Sequence, residues 1–384
     1  MLEINLFEII ILCGLGFCFL IQMFYYWIVI AKPYHHIRSS NNEDDYFDNQ
    51  PPVSVIVCVK NKYDNLSYFL PALLEQDYPE FEVIVVNDGT TEESETILTQ
   101  LKFQYQNLYE THIPDSSRNI SRKKLGITLG IKAAHYEAVL FTDPDSIPSS
   151  KNWISLMARH FQDKKTLVFG LSVKEKTDGF LSSFIGYDYL YSNLQSISLA
   201  LLKHPYAADS RNLLYRKDLY TSEKQFQKYR FLEYGEDDLF IQYVATSENT
   251  AIELSPESVV ETWFSDIRDY KRYKIKKAVV KDFYKKDILA FWFFEYLTRI
   301  GFYLFLAAGI ISGISSSVML VSGLSCFAIR LFSQLYIHKK TADELILDRY
   351  YFLSPIFDLM QPFWNMYIFF QHFSKRKDFY IKKI

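Results

Sequence analysis

One acidic triplet in this sequence has the residue types and spacing of a metal-diphosphate site. Asp143, Pro144 and Asp145 follow directly on the apolar run from Ala138 to Phe141. Successive side chains of a strand point to opposite faces, so two carboxylates this close converge on one cation only where the strand ends. Pro144 indicates such an ending, because it donates no ladder hydrogen bond and favours an extended residue before it. A solvated turn fits the triplet alone equally well.

The elements that position the triplet follow from the apolar periodicity. Strand patterns cover Val53 to Val59, Phe81 to Val86 and Ala138 to Phe141, with helical patterns from Asp64, from Glu92 to Tyr105 and from Leu125 to Ala134. This alternation indicates βαβ units and a mostly parallel sheet. Because the strand ends then share one edge, we expect Asn61, Asp88 and the triplet to lie in one cleft. The glycine fingerprint of dinucleotide-binding folds and the P-loop sequence are absent.

Composition and apolar segments suggest a membrane protein. Hydrophobic residues make up 49% of the chain, and the net charge of -3 argues against bulk electrostatic binding of nucleic acid. The uncharged stretch from Ile9 to Ala31 exceeds the roughly 20 residues that a membrane-spanning helix needs. Basic residues follow it from Lys32 to Arg38, so by the positive-inside rule the following residues face the cytoplasm.

The C-terminal part contains three further apolar segments. Ile288 to Gly313 and Val318 to Ile337 are predicted to form a membrane hairpin, in which Glu295 and Arg299 pair one helical turn apart. Basic residues flank the last segment, Tyr350 to Phe373, on both sides, and a single crossing cannot begin and end on the same side. We therefore predict that it lies in the interface or re-enters the membrane.

Four motifs together resemble the family-2 glycosyltransferases, nucleotide-sugar enzymes of the GT-A fold that are often membrane-bound. They are Val53 to Asn61, Val86 to Thr90, Thr142 to Ser146 with Trp153 behind it, and Gly235 to Phe240, in the family's usual order over about residues 51 to 275. The resemblance implies an α/β fold with a GT-A Rossmann-like, mostly parallel sheet flanked by helices. Membrane helices would precede and follow this α/β domain in the sequence.

The resemblance also assigns roles at the donor side of the site. Asp145 would hold a divalent ion, Mg²⁺ or Mn²⁺, with Asp143 beside it near the metal or the ribose. Such a sparse site is chemically reasonable, because Mg²⁺ takes one or two carboxylates plus phosphate oxygens. Asp88, Asn61 and Lys123 would contact the nucleotide. An Asp-Gly turn at Asp88 and a solvated helix start at Lys123 remain open alternatives.

The motif at Gly235 would carry the transfer step. Asp237 is the implied general base, taking the proton from the acceptor hydroxyl as that oxygen attacks the anomeric carbon. Crowding by Glu236 and Asp238 is expected to raise its pKa. A helix N-terminus with acids in its first turn is a compatible alternative. Further expected contacts of the donor sugar or acceptor are Asp209, Asn212, Glu236, Asp238, Arg272 and Tyr273.

Some positions depart from the family pattern. Ala208 and Ser210 stand where glycines are usual, which makes backbone conformations with positive φ less favourable. The Gln-x-x-Arg-Trp element of processive synthases is matched only by Arg272 and Tyr273, which argues against a long-polymer synthase. The stretch from Arg268 to Lys286 carries nine interspersed Lys and Arg residues, typical of a helix lying on an anionic leaflet.

The predicted organisation follows from these segments. It comprises a spanning helix at 1–31, a juxtamembrane linker at 32–50, a GT-A catalytic domain at 51–266, a basic interfacial helix at 267–287, a membrane hairpin at 288–337 and an interfacial or re-entrant segment at 338–384. The expected function is inverting transfer from a nucleoside-diphosphate sugar, with UDP as the expected nucleotide, to a lipid-linked acceptor at the cytoplasmic face of the inner membrane. The alternatives are a catalytically silent, membrane-organising protein and, less favoured, a nucleotidyltransferase.

Overall fold

The structure is a computed structural model that describes residues 6–40, 50–60, 66–89, 92–114, 121–162, 164–222, 232–235, 237–312, 317–347 and 352–375. The chain divides into two compact units. The helical unit comprises Met1–Arg38 and Tyr284–Tyr367, and the α/β unit comprises Ser39–Phe283 and Ile368–Ile384.

The α/β unit is built on a mostly parallel sheet. Its strands, in chain order, are β1 Val53–Val59, β2 Phe81–Asn87, β3 Leu108–His112, β4 Ala138–Thr142, β5 Ser146–Pro148, β6 Leu167–Phe169, β7 Ser172–Lys174, β8 Leu213–Arg216, β9 Thr250–Ile252 and β10 Val260–Thr262. In the described residues, the larger sheet has the order β3-β2-β1-β4-β8-β6-β9, and β8 alone runs against the others. The predicted strands β1, β2 and β4 are confirmed. They are buried almost throughout, as expected for parallel strands covered on both faces.

Helices cover this sheet. They are α3 Leu66–Leu74, α4 Glu92–Gln104, α5 Arg122–Ala133, α6 Trp153–Ala158, α7 Phe180–Leu201, α8 Lys217–Ser222, α9 Asp238–Val244 and α10 Ile267–Lys281. Leu70 of α3 and Trp153 and Met157 of α6 are fully buried in one apolar cluster with alternate residues of β1, β2 and β4. A smaller sheet, β5-β10-β7, continues from the end of β4 through β5, and so fixes the chain beyond the predicted triplet.

The helical unit contains the apolar segments. In chain order it has α1 Leu6–Phe24, a π-helical turn Tyr25–Ile30, α2 Lys32–Ser40, αC1 Lys286–Ser312, αC2 Ser317–Glu344 and αC3 Ser354–Lys375. The residues of αC3 from Ile368 onward are assigned to the α/β unit. Three described stretches are long and apolar enough to cross a membrane: Leu6–Ser39, Lys286–Ser312 and Ser317–Glu344. The predicted linker differs in its first part, because residues 32–40 continue the first helix. The rest of it, residues 41–49, lies outside the described residues.

A buried charge network joins the helices of this unit. The predicted pair is confirmed: Arg299 donates from Nε and Nη2 to the Glu295 carboxylate at 2.9 and 2.7 Å. Asp358 of αC3 accepts from Arg299 Nη1 at 3.2 Å and from Arg330 Nη2 at 2.7 Å. The hydroxyl of Tyr303 donates to the same Asp358 carboxylate at 2.9 Å. The four charged side chains are at most 2% exposed, so mutual pairing offsets their desolvation.

Candidate active site

Acidic side chains follow the carboxyl ends of neighbouring strands, as the sequence predicts. Asp88 follows β2 and is buried, and it forms ion pairs with Lys60 Nζ at 3.4 Å and with Arg122 Nε. Lys60 follows β1, which lies beside β2 in the sheet. The sequence did not single out Arg122, because it stands beside Lys123 in a basic run at a helix start.

The triplet after β4 has a fixed backbone. The amide of Ser146 donates to the carbonyl oxygen of Asp143 at 3.1 Å, which closes the turn around Pro144. The carbonyl oxygen of Asp145 accepts from the amide of Trp263 at 2.9 Å and from the hydroxyl of Thr262 at 3.2 Å. The turn is therefore anchored to the end of β10. Strand, turn and second sheet together hold the two carboxylates in place.

Both carboxylates lie beside one guanidinium. Arg211 Nε is 3.6 Å from Asp143 Oδ2 and 3.7 Å from Asp145 Oδ1, and Arg211 Nη1 is 3.5 Å from Asp209 Oδ1. Tyr189 donates its hydroxyl hydrogen to Asp209. The structure thus brings Asp143, Asp145 and Asp209 together around a cation that the sequence did not identify.

Asn212 holds the segment that presents Arg211. Its side-chain nitrogen donates to the carbonyl oxygens of Leu171 and Ser258 at 2.9 and 2.8 Å, and its oxygen accepts from Trp153 Nε1 at 3.0 Å. Asn212 is fully buried, and a Cβ on neighbouring Gly170 would come within 2.3 Å of its amide. These contacts favour a supporting role over the expected sugar or acceptor contact. Neither Ala208 nor Ser210 has a positive φ, so the backbone here does not require the glycines that are usual at these two positions.

The loop before α9 presents Asp237. Gly235 has a φ of +97°, a conformation that residues with a Cβ rarely adopt. Asp237 then caps α9, accepting from the amide of Asp238 at 2.8 Å, so the predicted helix N-terminus is present. Lys277 Nζ of α10 lies 2.8 Å from Asp237 Oδ2 and 3.0 Å from both carboxylate oxygens of Asp238.

The expected raised pKa of Asp237 is wrong in direction. Burial acts to raise it, but the charges of Lys277 and Lys123 and the hydrogen bond from Lys277 outweigh burial and lower the pKa to about 2. The expectation considered only the neighbouring acids of the motif. It missed Lys277, which is 40 residues away in sequence.

Lys123 connects the two acidic groups. Its Nζ lies 3.7 Å from Asp143 Oδ1, and its charge also lowers the pKa of Asp237. The start of α5 is tied to the loop before Asp237, since Ser121 donates to the carbonyl oxygen of Glu233 at 2.6 Å and Lys124 to that of Leu232 at 2.8 Å. The predicted metal and base residues therefore share one cation.

Two of the other predicted contact residues, Asn61 and Glu236, lie outside the described residues. Tyr273 packs its ring 5.3 Å from the Arg211 guanidinium, whereas Arg272 is exposed on α10. The basic α10 helix does not direct all its charges outward, because Lys277 binds Asp237 and Asp238, and Lys274 pairs with buried Asp188 at 2.9 Å.

The residues present fit a sparse divalent-cation site. Asp143 and Asp145 both lie within 3.7 Å of the same nitrogen of Arg211, so both carboxylates face one cationic group. The described residues contain no cluster of three or more His, Cys, Asp or Glu side chains that would form an all-protein metal cage. One or two carboxylates completed by phosphate oxygens suit Mg²⁺ and, with the same oxygen ligands, Mn²⁺.

Comparison with known proteins supports this interpretation. The sequence profile described as glycosyl transferase family 2 matches residues 54–220, which include Asp88, Lys123, Asp143, Asp145, Asp209 and Arg211. The match ends before Asp237. A glycosyltransferase of Nostoc sp., itself described as uncharacterized, is 30% identical over 99 residues, which cover 25% of this chain and 28% of that protein.

Two solved structures resemble the fold. The mannosyltransferase PcManGT from Pyrobaculum calidifontis, in complex with GDP-Man and Mn²⁺, has a TM-score of 0.51 at 16% identity, covering 90% of this chain and 99% of that one. TarS 1-349 of S. aureus has a TM-score of 0.38 at 19% identity, covering 77% and 89%, which is too low to bear on the fold. The first similarity, together with the sheet order, identifies a GT-A-like α/β fold.

Proposed function

We propose that this chain, whose residues 54–220 match the sequence profile of glycosyl transferase family 2, is an inverting, metal-dependent glycosyltransferase. It moves a sugar from a nucleoside-diphosphate sugar to a membrane-associated, lipid-linked acceptor in surface-glycan synthesis. We expect a UDP-sugar as the donor. The observation that carries the proposal is the shared charge of Lys123, which lies beside Asp143 and acts on Asp237, the residue we assign as base.

The transfer step follows from the protonation state of Asp237. With a pKa lowered to about 2, this carboxylate is ionised at neutral pH and able to accept a proton. The acceptor oxygen forms a bond to the anomeric carbon as the bond from that carbon to the diphosphate breaks, and its proton passes to Asp237. Although Asp237 is a weak base, the hydroxyl becomes strongly acidic as its oxygen binds carbon, so late proton transfer suffices.

The departing diphosphate requires positive charge near it. Lys123 and Arg211 lie 3.6 to 3.7 Å from the carboxylates of the triplet, and they are available to balance charge on the leaving group. Asp145 and Asp143 would hold Mg²⁺ or Mn²⁺, which as a Lewis acid would stabilise the same developing charge. The Pyrobaculum mannosyltransferase is in complex with both GDP-Man and Mn²⁺, which supports the metal assignment.

A membrane acceptor is supported by the helical unit. Three stretches are apolar and long enough to span a bilayer, and the basic residues after Ala31 and after Ile337 favour a cytoplasmic position for both segments. We therefore assign the protein to the inner membrane as a multi-pass protein, with the α/β unit in the cytoplasm. We also retain the sequence-based prediction that residues 350–373 do not cross the membrane fully.

A donor screen with the full chain in membranes tests this function. We expect release of nucleoside diphosphate from one donor class, dependent on Mg²⁺ or Mn²⁺ and increased by extracted lipid acceptors. Asp237→Asn should retain donor binding and lose about 10³-fold in transfer rate, within the range of general-base contributions. Asp145→Asn should lose metal-dependent donor binding, while Asp218→Asn, at a side chain 57% exposed, serves as the control.

The outcomes separate the alternatives. Full transfer activity in Asp237→Asn would reject the assignment of the base. Release of pyrophosphate instead of nucleoside diphosphate would indicate a nucleotidyltransferase. Failure of every donor with the unmodified chain would favour a catalytically silent protein with a membrane-organising role.

A further inference from the structure

Arg211 has an unusual environment for a buried cation. It is 8% exposed and lies 3.5 to 3.7 Å from the carboxylates of Asp143, Asp145 and Asp209. These separations give ion pairing without the short contacts of a hydrogen-bonded fork. Within the described residues its Nε has no hydrogen-bond partner, although it is buried.

Aromatic rings surround the guanidinium. The ring centres of Tyr189, Phe264 and Tyr273 lie 6.0, 5.7 and 5.3 Å from its central carbon. Such contacts hold a cation through its face and leave its N–H groups directed by other partners. Packing against these rings and ion pairs of 3.5 to 3.7 Å therefore hold the side chain in place. Its N–H groups can donate hydrogen bonds to a more strongly charged anion.

Charge counting shows why the cation is needed. Around Arg211 and Asp237, the carboxylates Asp143, Asp145, Asp209, Asp237 and Asp238 face the cations Lys123, Arg211 and Lys277. The carboxylates outnumber the cations by two among these eight side chains. Without Arg211 the excess would be larger and concentrated at the triplet, where like charges repel.

We propose that Arg211 is an internal counter-cation that weakens metal binding to the empty site and strengthens diphosphate binding, so that the site selects the metal together with its diphosphate. This inference rests on the proposed function, because it takes Asp143 and Asp145 as the metal-binding carboxylates. Arg211 and the metal neutralise the same two carboxylates, so each reduces the other's attraction. A diphosphate removes that competition by supplying new negative charge for the guanidinium.

Two separate titrations of the full chain in detergent test the proposal. Mn²⁺ alone, followed by electron paramagnetic resonance, should bind Arg211→Met at least about tenfold more tightly than the unmodified chain, because repulsion between like charges about 4 Å apart is large in a partly buried site. Inorganic pyrophosphate alone, followed by calorimetry, should bind the same variant about tenfold more weakly. A variant that merely misfolds would lose both affinities.

Matched variants complete the test. Arg211→Lys retains the charge and should stay close to the unmodified chain in both titrations. Arg216→Met removes an arginine from β8 whose partner is the exposed Asp218, and should change neither. Absence of tighter Mn²⁺ binding in Arg211→Met overturns the inference. If instead Asp145→Asn leaves Mn²⁺ binding unchanged in the unmodified background, the metal assignment within the proposed function fails.

Discussion

Each of the two units contains a group of charged residues, and the two groups differ in how closely their aspartate carboxylates are contacted. In the helical unit, Asp358 accepts hydrogen bonds from two arginines and from tyrosine hydroxyls at 2.7 to 3.2 Å. In the α/β unit, Arg211 Nε lies 3.6 Å from Asp143 and 3.7 Å from Asp145, beyond hydrogen-bond distance. Among the described residues, Arg211 Nε and Arg330 Nε alike have no hydrogen-bond partner, so the two groups differ in the contacts of their carboxylates. Both groups are built from aspartates, arginine and tyrosines.

This difference separates a structural network from a binding site. The Asp358 carboxylate has four partners at hydrogen-bond distance and so gains little from a ligand, whereas its loss would leave two buried arginines without their shared counter-charge. Around Arg211 the carboxylates outnumber the cations, and the ion pairs of the guanidinium are 3.5 to 3.7 Å long, so an added cation at the carboxylates or an added anion at Arg211 can improve the contacts. In this molecule the length of the contacts around an aspartate carboxylate, more than the residue types, therefore indicates whether the group can bind a ligand.

The largest effect on stability should come from breaking the hydrogen-bonded network around Asp358. Asp358→Asn leaves Arg299 and Arg330 without their shared carboxylate and should lower the free energy of unfolding by about 3–5 kcal/mol. Thermal unfolding of the full chain in detergent measures it. Asp343→Asn, at an exposed position of αC2, is the matched control and should behave like the unmodified chain. An equally stable Asp358→Asn protein would mean that the network is not structural.

A smaller effect should follow from altering the partner of Asp237. Its lowered pKa of about 2 means that the ionised base persists as pH falls and is lost only near that value. Lys277→Gln removes the main opposing charge, so the pKa should rise and the acidic limb of the pH–rate profile should move to higher pH. Lys132→Gln, at an exposed position in the last turn of α5, removes the same charge elsewhere and should leave the limb in place. An unmoved limb in Lys277→Gln would disconnect Lys277 from the base.

The smallest effect on stability should come from a substitution in the group around Arg211. Asp145→Asn removes one carboxylate from a set in which carboxylates outnumber cations, so without metal the free energy of unfolding should change by less than about 1 kcal/mol. Thermal unfolding in a chelating buffer provides the comparison with Asp358→Asn. A loss as large as that of Asp358→Asn would remove the distinction between the two groups.

Much of the sheet could be predicted from sequence, for a physical reason. β1, β2 and β4 are buried on both faces and so appear as apolar runs, and parallel order places their ends at one edge. β3 was missed because this edge strand, Leu108–His112, carries Tyr109, Glu110 and Thr111 in place of an apolar run. β6, β7, β9 and β10 have three residues each, too few to show a period.

The acids of the site and Lys123 could be predicted from sequence, whereas Arg211 and Lys277 could not. Asp88 and the triplet follow strong strand patterns, so their positions could be inferred locally. Arg211 and Lys277 gain their meaning from partners distant in sequence, and no local pattern marks them. The error in the pKa of Asp237 has the same origin, because the decisive charge comes from another helix.

The π-helical turn of the first helix has a consequence for insertions and deletions. A π turn contains one residue more than the α-helical turn it replaces. Here it allows the adjacent Tyr25 and Tyr26 both to be buried, with their hydroxyls donating to the carbonyl oxygen of Phe291 and to Asp358. Deleting one residue between Tyr25 and Ile30 would restore a regular α-helix and keep the rest of the helix nearly in phase, because the turn holds one extra residue. Such a deletion should cost the burial of one of the two tyrosines, whereas one residue removed from the preceding Leu6–Phe24 helix would rotate everything beyond it by about 100°.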